Sequence, residues 1–299
     1  MKYAELVTAV QDYTENTFPT IDLNTMIRVT EQNIYNTVQL ANLRKNVTGT
    51  FSTTSEYLAV PSDFLAIYSL AVKVNGVYSY MLSKDVDFIR EAYPDPTVKG
   101  VPQHFALFGT RSNSVNDLTF IVGPTATAAY DAEMHYYYYP ESIVQRAIGS
   151  LSTIVPGSGY ANRWYFNVPL TGSASGIGAT ANVQVSGGAV VAVNIVNPGC
   201  YYAVGDSLTG VLGSTGSGFS VPVLTVSNEN GETWVGEHFD AALLNGTLIE
   251  AIRYMKGEKD LVDLYQTQYL QSIALLKNLG DGKQEADTYR DGMPRVKVS

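Results

Sequence analysis

The side chains best equipped for chemistry are few and scattered along the chain. Three histidines, His104, His135 and His238, stand in three unrelated contexts. No two of them have the i, i+4 spacing that sets a pair of imidazoles on one helical face for zinc. Asp85, Asp87 and Glu91 share a short helical stretch. Carboxylates so spaced can hold a metal or exchange a proton, but the plain reading is a solvated acidic face. Asp206 sits in Gly205-Asp206-Ser207, where Asp suits a turn and, in a Gly-rich loop, also suits calcium. Cys200 is the only cysteine, which excludes a disulfide framework and a cysteine metal site. No serine stands in a nucleophile elbow, and no Cys–His arrangement is suggested. Gly176-Ile177-Gly178 matches part of a dinucleotide fingerprint, but strand–turn–strand sequence surrounds it and no helix follows to receive a phosphate. No catalytic, cofactor or metal constellation emerges. The expectation is a protein that is not an enzyme.

Composition points the same way. Charged residues make up 16% of the chain, below the usual quarter, while Tyr (21) and Gly (26) are abundant. That balance suits β-rich structural or surface-display proteins better than cytosolic enzymes. A net charge of −9 argues against tight, sequence-independent binding to nucleic acid, though DNA can still slide past an acidic wall. Met1-Lys2-Tyr3 leads into amphipathic sequence without the apolar core of a signal peptide, and no apolar run is long enough to span a membrane. The Asn-x-Thr sites at Asn46 and Asn245 then read as chance matches.

The elements that must position any functional surface are helices at both ends of the chain. After Trp234, apolar residues recur at Ala241, Leu244, Leu248, Ile252 and Met255, the spacing of one helical face. Gly257, following Lys256, should end that helix with φ > 0. A second stripe runs Leu261, Tyr265, Tyr269, Ile273 and Leu276 and stops at Leu279-Gly280. Leu244, Leu248, Ile252, Tyr265, Ile273 and Leu276 are the expected core of this hairpin. Its open flank needs a partner. Leu6, Val7, Val10 and Tyr13 give one N-terminal helix. A second follows Pro19, with Asp22 as N-cap and Leu23, Ile27, Ile34, Val38 and Ala41 on one side. The four helices predict a bundle assembled from residues 1–49 and 229–282.

Between them lie two β regions. Residues 50–151 read as a small antiparallel β domain with one helix over Asp85–Ala92 and a type I′ hairpin at Asn75-Gly76. In it, Tyr136 to Tyr139 should place alternate rings on both faces of a strand, for core and interface. Residues 152–228 hold 13 of the 26 glycines and only two charged residues, Arg163 and Asp206. Short Val-rich strands between Gly turns predict an inserted all-β domain, sandwich-like or rolled, with its own core. The fold class expected is therefore α+β. Residues 283–299 read as an extended tail without periodicity, its cations Arg290, Arg295 and Lys297 interspersed with Met293, Pro294, Val296 and Val298. Such a tail is either disordered or docks on a partner.

Several stretches together resemble the head-to-tail adaptor, or connector, proteins of tailed bacteriophages. They are Leu58-Ala59-Val60-Pro61-Ser62-Asp63-Phe64-Leu65 with Asn75-Gly76 behind it, and Gly100-Val101-Pro102-Gln103-His104-Phe105 through Gly109. Gly123-Pro124 with the strand Met134 to Pro140, and Asn230 to Trp234 with the helical hairpin through Leu279, complete the set. The 152–228 block departs from the plain family pattern and looks like Gly-rich β modules inserted in phage structural proteins.

The resemblance implies a virion protein of the head–tail junction, assembled in the host bacterial cytoplasm. It implies a ring of about twelve copies under the portal protein, the helices walling a channel through which double-stranded DNA passes without specific binding. The tail residues Arg290, Met293, Pro294, Arg295, Val296, Lys297 and Val298 would reach the portal, and a downstream tail or nozzle protein would follow below. No membrane is involved. The alternative is a tail fibre or spike component whose Gly-rich domain contacts host surface glycan, with Trp164, Tyr165, Tyr201 and Tyr202 as candidate contacts. A cell-wall hydrolase would need a paired acid and base that the sequence lacks.

Overall fold

The computed structural model describes residues 1–38, 40–110, 118–213 and 215–290. In chain order these form α1 (Tyr3–Thr14), α2 (Thr20–Thr37), β1 (Arg44–Thr50), β2 (Tyr57–Ala59), β3 (Phe64–Val74), β4 (Val77–Tyr80), β5 (Leu82–Ser83), α3 (Val86–Ala92), β6 (Lys99–Gly100), β7 (His104–Thr110), β8 (Leu118–Gly123), β9 (Thr125–Ala126) and β10 (Asp131–Tyr138). There follow β11 (Ala147–Leu151), β12 (Val155–Ser158), β13 (Trp164–Thr171), β14 (Ile177–Ser186), β15 (Ala189–Cys200), β16 (Ser207–Gly210), β17 (Ser217–Ser227), α4 (Trp234–His238), α5 (Asp240–Tyr254) and α6 (Lys259–Arg290). The class is α+β. The chain divides into two units, one of Gln39–Pro140 and the other of Met1–Val38 with everything from Glu141 onward.

In the first of these, two four-stranded sheets, β1-β10-β3-β4 and β2-β8-β7-β5, share one aromatic core. Phe51, Phe105, Phe120, Met134 and Tyr136 fill it, with Phe64 edge-on to Phe120 and stacked on Tyr136. The helix α3 covers the outer face of β7 and β8 through Ile89, Ala106 and Ile121. Asn75 and Gly76 both take positive φ between Val74 and its partner Val77, as a type I′ turn requires. The sheets are not wholly antiparallel: β5 runs parallel to β7, and β6 to β9. The run from Leu58 to Leu65 turns at Asp63. Its carboxylate accepts from the Tyr136 hydroxyl (2.8 Å) and pairs with Lys45 (2.6 Å), tying β1 and β10 to the start of β3. These contacts hold its carboxyl below the usual range in spite of a desolvation that pushes it up.

The Gly-rich block takes the rolled form, one of the two expected for it. It is one seven-stranded sheet, β11-β17-β16-β13-β14-β15 with β12 beside β17, and its two edges approach to make a nearly closed roll. The two-sheet sandwich arrangement is found in the preceding unit instead. The reason lies in the side chains. Alternate positions of β14 and β17 carry Ala179, Ala181, Val183, Val185, Val221 and Val223, small enough for a single sheet to curl around a core that Phe219 helps to fill. The sheet begins at Ala147, before residue 152, because β11 pairs with the far end of β17.

Asn228 fastens the two ends of this roll at its root. It accepts at its carbonyl from Arg146 N–H (3.1 Å), and its side-chain amide donates to the carbonyls of Ser142 (2.8 Å) and Glu232 (2.9 Å). Its φ of 45° is the left-handed region that Asn tolerates better than most residues. The chain leaving the roll is thereby turned straight into α4, whose N-cap Thr233 accepts from Gly236 N–H (3.1 Å).

Candidate functional site

The helices of the unit that holds both termini pack around one of their number. Contacts radiate from α5, which meets α1, α2, α4 and α6. Its buried face is Ala242, Leu243, Gly246, Thr247, Leu248, Ile249, Ala251 and Ile252. The predicted stripe is thus right at Leu248 and Ile252 but rotated at its start: Leu244 is half-buried and Leu243 fully buried. Gly246 marks where three helices converge. A Cβ there would lie 2.4 Å from Thr30 Cγ2 of α2 and 3.1 Å from Tyr269 Cε2 of α6. No larger residue fits.

The turn after α5 also differs in detail. Lys256, not Gly257, takes the positive φ (55°), and Gly257 N–H donates to the Ile252 carbonyl (2.9 Å). Glycine is needed at 257 for closeness, since a Cβ would stand 2.7 Å from Ile252 Cγ2. At the other end of the unit α2 starts at Thr20 behind Pro19, so Asp22 is not the N-cap. It lies in the first turn, favourable to the helix dipole, and accepts from the Tyr254 hydroxyl (3.0 Å).

The last helix is the largest departure. It does not stop at Leu279-Gly280 but runs from Lys259 to Arg290, 32 residues or about 48 Å. The Gly280 cost of roughly 1 kcal/mol is small beside continuing a helix already nucleated. Ile273 and Leu276 are buried against α5, and Tyr265 and Tyr269 are half-buried. Leu261, Leu264, Leu275 and Leu279 are all exposed, and their spacing puts them on one side of the helix. Beside α6 lies a groove of about 130 Å³ lined by residues of α2, α5 and α6, Thr30, Ile249, Tyr269 and Leu270 among them. Of the predicted portal-contacting residues, Arg290 ends α6, while Met293, Pro294, Arg295, Val296, Lys297 and Val298 lie outside the described residues.

A buried polar node was not legible as a site in the sequence. Glu31 of α2 is 4% exposed and accepts from Ser142 Oγ (2.6 Å) and Ile143 N–H (2.8 Å). Burial pushes its carboxyl up to about 7, against those two hydrogen bonds and the nearby Arg28 cation. One helical repeat earlier, Asn24 accepts from the Tyr3 hydroxyl (2.6 Å), joining α1 to α2. The thiol of Cys200, raised chiefly by burial, sits beside Tyr3 and Asn24. The signal was there: Asn24 and Glu31 interrupt the apolar register of Leu23, Ile27 and Ile34. A carboxylate on that face must have a fixed partner.

The side chains with chemical potential do not converge. His104 contacts the Tyr93 hydroxyl (2.9 Å), His135 lies 3.3 Å from Glu133, and His238 stacks on Trp234. Asp85, Asp87 and Glu91 are exposed on and before α3. Asp206 accepts from Ser173 Oγ (2.5 Å) and Ala203 N–H (2.9 Å), the bonds of a turn residue. Among the described residues no three His, Cys, Asp or Glu side chains gather as for a metal. No helix there is long and apolar enough to cross a membrane.

No curated protein matches the chain. The profile of the SU10 adaptor protein family matches residues 1–162. That span contains α1, α2, the whole Gln39–Pro140 unit and the first two strands of the roll, with Pro61-Ser62-Asp63-Phe64, Asn75-Gly76 and Gly123-Pro124 in place. It ends short of β13 and of the C-terminal helices. With more than half of its length so matched, the chain belongs to the SU10 adaptor protein family, a family of phage head–tail adaptors.

Proposed function

We propose that the protein forms a ring of about twelve copies beneath the portal, joins the DNA-filled head to the tail, and encloses the channel through which DNA passes. The observation that carries this reading is α6. It is a long helix packed on α5 along one stripe while a second stripe of four leucines is left open. Apolar side chains so arranged are covered when a neighbouring copy packs alongside. In this reading α1, α2, α5 and α6, from residues 1–49 and 229–282, work as one bundle in the ring wall. The β unit of Gln39–Pro140 and the roll that begins at Ala147 are carried from it, in place of the expected bounds 50–151 and 152–228. Arg290 and the segment to Val298 reach a portal groove, and a tail or nozzle protein binds below. The net charge of −9 suits a wall that DNA slides past, since a cationic lining would hold the phosphates.

The test is assembly. Purified protein mixed with portal rings of the same phage should be seen by electron microscopy as a second ring on the portal, and Leu264→Asp with Leu275→Asp should abolish that ring. Protein that stays monomeric with portal at high concentration, or a double variant that still assembles, sinks the reading.

A further inference from the structure

The outer face of the roll carries a feature that ring assembly does not use. β13 reads Trp164-Tyr165-Phe166-Asn167-Val168, and Tyr165 and Val168 both point into the core. Two residues therefore sit between consecutive core positions where simple alternation allows one. The pairing with β14 is bulged here, and Asn167 takes a φ of 51°. The bulge leaves Phe166 and Asn167 both outside. Phe166 is 70% exposed and Trp164 40%, their rings nearly parallel (16°) with centroids 6.3 Å apart. Two large parallel rings held open to water are costly ornaments on a β surface unless something covers them.

What surrounds them is neutral and polar. Gln184 pairs with Trp164 across the sheet, and Asn182 pairs in turn with Asn194 of β15. All three amides alternate with core residues and so share the outer face with the rings. Asn182 Oδ1 accepts from the bulged Asn167 N–H (2.9 Å), which fixes it beside Phe166. Gln184 and Asn194 make no side-chain hydrogen bond among the described residues. From Ser152 to Asn228 the only charges are Arg163 and Asp206. Arg163 lies over the Tyr165 ring (4.5 Å), and Asp206 is occupied in its turn.

We propose that this face binds a neutral glycan chain, Trp164 and Phe166 stacking on the C–H faces of successive pyranose rings while Gln184, Asn182 and Asn194 bond their hydroxyls. Aromatic faces beside amides match a sugar's alternating apolar faces and hydroxyl edges, because each amide both donates and accepts. A nucleic acid would need several cations to neutralise its phosphates, and the face offers at most one. A protein partner would want a continuous apolar centre, whereas here the rings are bordered by amides. Position agrees. The end of β14 at Gly178 packs against Ile21 of α2, whereas Trp164 pairs six positions further along, about 20 Å away at the free end of the roll. The platform also begins just beyond residue 162, so it is an addition outside the part of the chain shared with the family profile. The proposal stands independently of the ring.

The experiment titrates the full-length protein with three neutral hexasaccharides: β-linked glucose, α-linked glucose and β-linked N-acetylglucosamine. Calorimetry and tryptophan emission are both followed. At least one sugar should bind with a Kd below about 10 mM, the range open to two stacked rings. Trp164→Ala and Phe166→Ala should each weaken it at least about tenfold, and Gln184→Ala about threefold, with melting temperature unchanged. Three results overturn the proposal. They are no binding by any of the sugars, binding that survives both aromatic substitutions, or an emission shift with protein concentration alone that is lost in Trp164→Ala. The last would make the face a contact between copies.

Discussion

Helices α5 and α6 lie side by side, follow one another in sequence and are both amphipathic, yet they use that property in opposite ways. In α5 eight of 15 residues are buried, three of them Gly or Ala, so its neighbours come close on several sides. In α6, 32 residues long, Ile273 and Leu276 are the only buried side chains among those described, and five leucines are exposed. The first helix satisfies the fold. The second holds the fold with one stripe and leaves another open to solvent. An apolar pattern alone therefore does not say whether a helix is core. The breadth of the pattern and the small residues within it do.

The comparison breaks most clearly under one substitution made twice. Leu248→Asp puts a carboxylate at a position with no exposure, where it finds no partner, at a cost of several kcal/mol against a typical total of about 5–15. That variant should be lost to aggregation or show no cooperative melt. Leu264→Asp, at a position 50% exposed, should cost no more than about 0.5 kcal/mol and melt as the parent does. Thermal melts of the two, read by circular dichroism, decide it. Equal damage from both would mean that α6 is core after all.

A smaller effect separates α2, which faces α5, from everything on the outside. The Glu31 carboxyl is raised from an ordinary 4.5 to about 7 by burial. The folded state then binds the proton more tightly than the unfolded state. The stability linked to Glu31 is fully present below pH 4.5 and is lost as pH rises towards 7, about 3 kcal/mol over that window. Glu31→Gln keeps an acceptor for Ile143 N–H and removes the titration. Its stability should vary less between pH 5 and 7 than the parent's, by urea melts at each pH. A parent and variant with the same pH profile would mean that the buried carboxyl is not raised.

Much of this was legible in the sequence because it depends on local chemistry. Asn75-Gly76 can hardly be anything but a tight hairpin turn, and Leu248, Ile252, Ile273 and Leu276 repeat at helical intervals. The strands β7, β8 and β10 fell where Val, Phe and Tyr cluster. What escaped depends on distant partners. Sandwich and roll share the same alternation within a strand, and only the pairing of β11 with β17, far apart in sequence, tells them apart. Gly280 looked like a stop because glycine is a poor helix residue. That penalty is small, though, and no Pro follows it until Pro294. Glu31 needed Ser142 and Ile143 from the other side of a whole unit of the chain. On the roll, Trp164 and Phe166 were two residues apart in plain view. Only the structure showed that Tyr165 goes in, which leaves Trp164 and Phe166 outside, and that Tyr202, once a candidate contact, is wholly buried.

The smallest effect on the fold is expected at the far end of α6, and it is the most telling for function. Truncation after Gly282 removes the last part of the helix and everything beyond, including Arg290, Arg295 and Lys297. The stripe that packs on α5, with Ile273 and Leu276, is retained. The monomer's melting temperature should therefore stay within a degree or two of the parent's, since the last turns of a terminal helix contribute little to stability. Attachment is another matter. A single short segment must give up about 1–2 kcal/mol per residue on ordering, so one copy alone binds a portal groove weakly. Copies joined in a ring present their tails together, and effective concentration turns weak contacts into a firm one. The truncated protein should then fold, melt and self-associate through the open stripe of α6, yet fail to co-sediment with portal-containing heads. If it co-sediments at the parental level, attachment lies in the helices themselves, and the open stripe of α6 faces the portal rather than a neighbouring copy.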